Sequence, residues 1–427
     1  MFQPFTFYGQ AAGVGTTIYT GFNIQTGSGE YYIATSSVAT NLINGPRIQP
    51  LNEESDQSIL LYRWTQATTN YSMIGSLQVD TAGGVTTAYP GQIVRAASAR
   101  NQVTTTLTSA SSYVAIYRDT NNDVTGHVCQ YNTGTNQFTI QSALSPVFEG
   151  GANAYICTDA VGISSNRFVA TSIYSSTGGH FLTRVIDVTG KTTWSTVGSA
   201  NQQGANCSNH QYNGKLTLTG SANDSGFLLG GVRGAGGTFG GRYIRYILLR
   251  GLTGTPVFGT FTTLYDRGSG AAVNGISAFK VNGTTSVMAW GEDASTGGAD
   301  ALIFSTLTTG ATISMSGSVQ TTAAIGTHAN PLCVDVKELV TEGDFTYFVG
   351  TAGSIVLALC KIDISGGATD GDITIIDEKT KWEIGATTIE DAGFITPHSS
   401  SVDNTYGIFV INQNTGNMDY VTGSLTT

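Results

Sequence analysis

An internal repeat constrains this chain more than any other feature. A turn holding Asp, Asn or Ser leads into an apolar run, a hairpin, a second apolar run, a Thr-Gly or Gly-Gly turn and a third run. The phrase then starts again. Its apolar run opens at Ile59, Tyr113, Phe168, Phe227, Val287, Tyr347 and Ile408, in steps of 54, 55, 59, 60, 60 and 61 residues. Self-similarity at such a period marks a supersecondary unit that is repeated and stacked.

The third repeat shows the unit most clearly. Residues 154–163, 167–174, 180–187 and 191–197 are four short runs rich in β-branched and aromatic residues, separated by Gly, Asn, Ser and Thr turns. That pattern predicts a four-stranded antiparallel meander, with strands a, b, c and d. In the sixth repeat the same order reads 333–339, 346–350, 355–363 and 372–376. The b runs are almost continuously apolar, as a strand covered on both faces must be. No stretch of similar length carries a helical period.

Four-stranded units at this spacing predict an all-β fold, a β-propeller of four-stranded antiparallel blades. The chain ends are incomplete: Phe5 to Gly9, Thr16 to Asn23 and Glu30 to Ser36 supply b, c and d without an a, and residues 389–427 supply a, b and c without a d. The seven a-like strands predict a seven-bladed ring closed by a d strand from Glu30 to Ser36; the eight b-like runs leave an eight-bladed ring as the alternative. The domain reading is accordingly an N-terminal arm or extra seam strands over 1–29, and a single propeller over 30–427.

Composition limits the functions open to such a body. Charged residues make up 11% of the 427 residues, Gly fills 55 positions, and hydrophobic residues at 40% supply ample core. Disorder is therefore a poor reading of the glycine content. A formal charge of −10 argues against nucleic acid as a partner. The N-terminus lacks the pattern of a signal peptide and no run reaches membrane-spanning length, so synthesis in a cytoplasm without membrane insertion is expected. The five cysteines form no CxxC pair and read as free buried thiols.

Candidate site residues are few. Asn44, Asn101, Asp159, Asn209, Asn274, Asp335 and Asp391 recur near the start of the a strands, a spacing that would set a polar ring around one mouth of the channel. The alternative is that they cap turns or bond backbone at the narrow axis. Asp119, Asn121 and Asp123 resemble the start of a calcium loop, but Val124 stands where the turn Gly belongs and Gln130 where the bidentate Glu belongs. An Asn/Asp-rich hairpin turn without metal is the favoured reading, and no cofactor is expected. Residues 221–226 match a sialidase Asp-turn only in part, and the twelve arginines read as scattered. The run 234–240 superficially looks like a nucleotide loop but falls between b and c strands. With no HExxH, Walker loop or GxSxG, the chain is expected not to be an enzyme. Tyr71, Tyr89, Tyr212, Tyr243 and Tyr246 are the tyrosines expected to face solvent, suited to stacking on sugars or packing on another protein.

The repeat grammar over residues 40–427 resembles the broad propeller group, and the Gly/Thr/Ser/Asn-rich, Lys-poor composition is similar to bacteriophage virion proteins of tails, collars and capsid appendages. The resemblance implies a non-enzymatic structural or adhesive component of a phage particle, made in the host cytoplasm and located in the virion. It would be a rigid docking platform for other virion proteins or a host-surface glycan, with assembly into a homo-oligomer left open. The alternatives are a glycan-binding, lectin-like propeller and, after it, a polysaccharide-degrading enzyme.

Overall fold

The computed structural model describes residues 17–31, 43–50, 57–66, 69–79, 85–96, 102–106, 111–132, 134–135, 137–144, 146–148, 155–174, 179–189, 193–203, 207, 214–220, 222–232, 242–268, 271–294, 301–322, 333–352, 356–380, 393–397, 405–412 and 417–427. Among them every regular element is a β-strand, and no helix is long and apolar enough to cross a membrane.

The strands pair antiparallel, in chain order, into sheets that follow the repeat. The first holds Ile43–Pro50, Gln57–Gln66, Thr69–Val79 and Val85–Ala96, and the second Gln102–Thr106, Ser112–Arg118, Val124–Asn132 and Gln137–Ile140. The third is Tyr155–Ser164, Arg167–Tyr174, His180–Thr189 and Thr193–Gln203. The fourth holds Gly214–Leu218, Ser225–Val232, Tyr243–Arg250 and Val257–Phe258, with Thr262–Asp266 as a further edge strand on Tyr243–Arg250. The fifth is Ala271–Lys280, Thr285–Ala294, Ala301–Thr309 and Ile313–Thr321, and the sixth Val334–Glu342, Phe345–Ala352, Val356–Asp363 and Ile373–Thr380. The last joins Gly393–Pro397, Thr405–Asn412 and Asn417–Thr426 to Gly21–Tyr31 from the other end of the chain. Each a strand neighbours the a strand of the next sheet, and Gly393–Pro397 returns to Ile43–Pro50. Sheets set side by side around an axis in this way make a β-propeller.

The b strands show why the pattern folds so. Along Phe345–Ala352 the side chains alternate between two gaps. Phe348 packs with Phe304 and Leu302 of the fifth sheet, while Tyr347 and Val349 pack with Tyr19 and Leu425 at the other face. Both faces are dry, which is why the run carries no polar alternation. Outer strands such as Ile313–Thr321 are mostly exposed or half-buried, and carry Ser, Gln and Thr.

The ring closes with a different strand from the one expected. Gly21–Tyr31, not Glu30 to Ser36, pairs with Asn417–Thr426, with Phe22 opposite Leu425 and Ile24 opposite Gly423. Thr26-Gly27 reads as a hairpin turn, yet the register shift between Gln25 and Gly29 shows that this segment is taken up in a bulge inside one strand. A boundary between residues 29 and 30 would therefore cut the closing strand near its end. The strand inferred over Phe5 to Gly9 lies outside the described residues.

Two rims differ in how they are built. At the rim of the a-b and c-d turns, the third, fourth and fifth sheets each reach for the c-d turn of the next. Arg167 pairs with Asp187 at 2.5 and 2.9 Å and donates to the carbonyls of Leu252 and Gly254 at 3.0 Å each. Arg250 donates to Gly310 and Ala311 at 3.4 and 3.2 Å, and the Thr306 hydroxyl donates to Gly371 at 2.5 Å. Asp224, in the partial Asp-turn, accepts the Thr253 amide at 3.0 Å and the Thr253 hydroxyl. That acid tethers two turns of its own sheet. Its pKa lies below the usual carboxylate range because Thr253 donates to it.

Cys129, Cys207, Cys333 and Cys360 are buried free thiols, and the side chain of Cys157 lies outside the described residues. One acid on an a strand bears on stability. Glu338 sits at the bulge between Glu338 and Val340, accepts the Thr341 hydroxyl at 2.9 Å, and is pushed up to about 7 by burial. A carboxyl raised on folding makes the folded state hold its proton longer. Stability from this group is thus fully present below the unfolded value and declines as pH rises toward 7. Glu338→Gln is expected to be more stable than the parent at pH 8 by about 2 kcal/mol and equal to it at pH 4. Urea unfolding at the two pH values measures this; equal midpoints at pH 8 would refute it.

Candidate functional site

The proposed polar ring is described at two of its members, and both bridge neighbouring a strands. Asp159 accepts the Leu216 amide at 2.8 Å and faces Lys215 at 3.5 Å, both on the a strand of the fourth sheet. Asp335 accepts the Ser277 hydroxyl of the fifth sheet at 3.2 Å and lies 3.6 Å from Lys337. Each is at most 9% exposed. Their oxygens are turned to the strands on either side, where they satisfy donors that the narrow axis shields from water. Asn44 and Asn274 lie on a strands, with side chains outside the described residues; Asn101, Asn209 and Asp391 are themselves outside them.

The calcium-like loop closes on itself. The Asp119 carboxylate accepts the amides of Asn121 at 2.8 Å and Asp123 at 3.0 Å, the Asn122 side chain accepts from Arg118, and Asn122 takes a left-handed φ of 67°. These are the bonds of an Asx turn joining two strands. Among the described residues, no group of three or more His, Cys, Asp or Glu is arranged to hold a metal.

The most chemically loaded region lies at the opposite rim of the fourth sheet, where its b strand ends and its c strand begins. Sequence distance concealed it. Arg242, Tyr243 and Arg245 come from one side of the sheet's outer hairpin, and Phe261, Tyr265, Asp266 and Arg267 from the other. The d strand there is broken: after Val257–Phe258, the Gly259 amide bonds Leu248 O at 2.8 Å, and the chain then re-pairs as Thr262–Asp266 with Tyr243 opposite Asp266. The break drops Phe261 into the gap toward the third sheet, 5.7 Å from the Phe181 ring.

Two clusters result, one on each face. Toward the third sheet, the Arg245 guanidinium lies 5.4 Å from the Tyr243 ring centre and 5.7 Å from that of Phe261, with Arg242 at 4.8 Å from Tyr243. Toward the fifth, Glu292 accepts the Tyr265 hydroxyl at 2.7 Å and the Trp290 indole at 3.1 Å, and pairs with Arg267. The Tyr265 and Trp290 rings stand 5.1 Å apart. Arg242 clasps Asp266 through two bonds of 2.8 and 3.1 Å, which lowers the Asp266 pKa. Burial, then the bond to Glu292, pushes the Tyr265 hydroxyl well up, so that it stays a donor at any ordinary pH.

Of the tyrosines expected to face solvent, Tyr71 and Tyr243 are half-buried, whereas Tyr246 is 5% exposed and packs with Ile276 and Trp290. The period of two along the strand separates them: Tyr243 and Arg245 face the third sheet, and Ile244 and Tyr246 the fifth. The side chain of Tyr89, all of Tyr212 and the glycine-rich run 234–240 lie outside the described residues.

No protein-family model matches the sequence, and no curated protein matches it. Solved structures do resemble it in fold. The lectin BP39L of Burkholderia pseudomallei has a TM-score of 0.52 at 9% identity, over 91% of this chain and 96% of that one. The periplasmic gluconolactonase PpgL of Pseudomonas aeruginosa has a TM-score of 0.47 at 10% identity, over 91% and 95%. The Aleuria aurantia lectin, described as a six-bladed β-propeller with a novel fucose recognition mode, has 0.43 at 10% identity, over 81% and 97%.

These neighbours correct one expectation. The lack of HExxH, Walker or GxSxG motifs does not make the chain non-enzymatic, and a gluconolactonase is among the structures similar to it in fold. Those motifs belong to other folds, and their absence says nothing of chemistry assembled from separate blades.

Proposed function

We propose that the chain is a seven-bladed propeller that binds glycans at the rim of its fourth sheet. The observation that carries this reading is the paired cluster just described. Half-buried tyrosine rings stand beside fixed guanidinium and carboxylate groups on both faces of one sheet, at the rim opposite the turn latches. Sugars present apolar ring faces and many hydroxyls, and they are held by aromatic rings together with rigid, charge-assisted hydrogen-bonding groups. Glu292 fixes Tyr265, Trp290 and Arg267 in place, so the cluster is organised before any ligand arrives.

The composition that resembles virion proteins is compatible with this reading, since an attachment protein meets glycans on a host surface. The virion setting rests on composition alone; mass spectrometry of purified particles tests it separately.

Binding of the purified chain to an array of bacterial surface polysaccharides tests the function. Tyr243→Ala and Tyr265→Ala are each expected to weaken the best-bound glycan about tenfold, the scale of one lost aromatic contact. Circular dichroism and thermal unfolding report whether either variant has lost its fold. Absence of binding across the array, or folded variants that bind as the parent does, would sink the proposal.

A further inference from the structure

Arg245 stands apart from the other arginines of this region. Arg242 has Asp266, Arg267 has Glu292 and Arg167 has Asp187. Among the described residues no carboxylate pairs with Arg245, and its Nε, closed off from solvent, has no hydrogen-bond partner. What it has is two aromatic rings, Tyr243 and Phe261, whose centres lie 5.4 and 5.7 Å from the guanidinium carbon. Cation-π contact returns only part of the solvation a half-buried guanidinium gives up.

The surroundings add positive charge rather than cancel it. Arg242 lies against the same Tyr243 ring, so two guanidiniums are served by one carboxylate, that of Asp266. Cys207 lies close enough in this gap for its thiol to feel the Arg245 charge, but burial pushes it up to about 12. At neutral pH it is an uncharged thiol and no counter-ion. In a chain with a formal charge of −10, one cation at a half-exposed rim is thus left uncompensated among the described residues.

We propose that this surplus charge sets the ligand class: the gap between the third and fourth sheets takes a sugar carrying an anionic substituent, with the guanidinium of Arg245 on the anion. The inference rests on the glycan-binding reading and narrows it. A planar guanidinium flanked by two rings suits carboxylate, sulfate and phosphate alike, because each offers two oxygens to a fork of donors.

Calorimetry with the full chain separates these cases. Matched oligosaccharides, one neutral, one of uronic acids and one sulfated, are titrated beside a free hexose phosphate at low and at high salt. At least one anionic sugar is expected to bind about tenfold more tightly than the neutral one, with a preference that shrinks as salt rises. In Arg245→Gln the ratio of anionic to neutral affinity is expected to fall to about one. Should that variant fail to fold, the salt dependence of the parent's preference decides. Equal affinity for neutral and anionic sugars, or a preference untouched by Arg245→Gln or by salt, overturns the inference and leaves glycan binding standing. Binding of none of the four overturns both.

Discussion

A chain that starts at residue 32 is expected to lose cooperative unfolding and to self-associate. The closing strand Gly21–Tyr31 covers the edge of Asn417–Thr426, and the Thr20 amide extends that pairing to Thr426 O at 2.8 Å. Just before it, Tyr19 drops between the sixth and last sheets. Its ring meets Tyr347 edge-on at 4.9 Å, its amide donates to the Tyr347 hydroxyl at 3.4 Å, and it packs among Leu339, Val349, Leu357, Leu359 and Leu425. Removing a buried aromatic costs about 3–5 kcal/mol by itself. Stripping the strand also bares a row of unpaired backbone groups along Asn417–Thr426. The sum approaches the whole stability of an ordinary domain, about 5–15 kcal/mol. Size-exclusion chromatography and urea unfolding followed by circular dichroism are the measurements, and a synthetic peptide of residues 17–31 is expected to restore the monomer when added in trans. A truncated chain that stays monomeric with an unchanged midpoint would show that the ring does not depend on this closure.

The sequence made that closure only half legible, for a physical reason. The b strands announce themselves because burial on both faces demands continuous apolar residues, as in Phe227 to Val232 and Tyr347 to Val349. An edge strand answers to one neighbour only, so its pattern is weaker. In Gly21–Tyr31 the Thr-Gly pair has the composition of a hairpin turn and the geometry of a bulge. The polar positions of the a strands were legible as a spacing but not as a direction, and Asp159 and Asp335 spend their oxygens on adjacent strands. The rim of the fourth sheet was hidden altogether. Arg242, Arg245 and Arg267 look scattered until Thr262–Asp266 pairs back on Tyr243–Arg250. The alternation along that strand was readable, and it already places Tyr243 and Tyr246 on opposite faces.

Gly230→Ala and Gly350→Ala are expected to destabilise the fold by about 3 kcal/mol each, the high end of the usual range for forcing a methyl into a packed core. Each glycine stands three residues after the opening of its apolar run, Phe227 or Tyr347. Each receives a phenylalanine from the c strand of the preceding sheet. A Cβ at Gly230 would lie 2.3 Å from Cε2 and 2.7 Å from Cζ of Phe181; one at Gly350 would lie 2.4 Å from Cε1 and 2.7 Å from Cζ of Phe304. Neither glycine has a positive φ, so what the site requires is space rather than backbone freedom. The rings have nowhere to go: both phenylalanines are fully buried, Phe181 against Phe261 and Phe304 against Phe348, each pair at 5.7 Å. Pairing Gly230→Ala with Phe181→Leu should cost less than the two single changes together, since the smaller side chain vacates the overlap. Strict additivity, or a Gly230→Ala loss below about 0.5 kcal/mol, would show that the ring yields easily. The two glycines also differ in what they disturb. Phe181 supports Phe261, on which Arg245 lies, so Gly230→Ala should weaken anionic-sugar binding as well as stability. Gly350→Ala, with the same clash two sheets away, should cost stability and leave the binding of the folded fraction as it was.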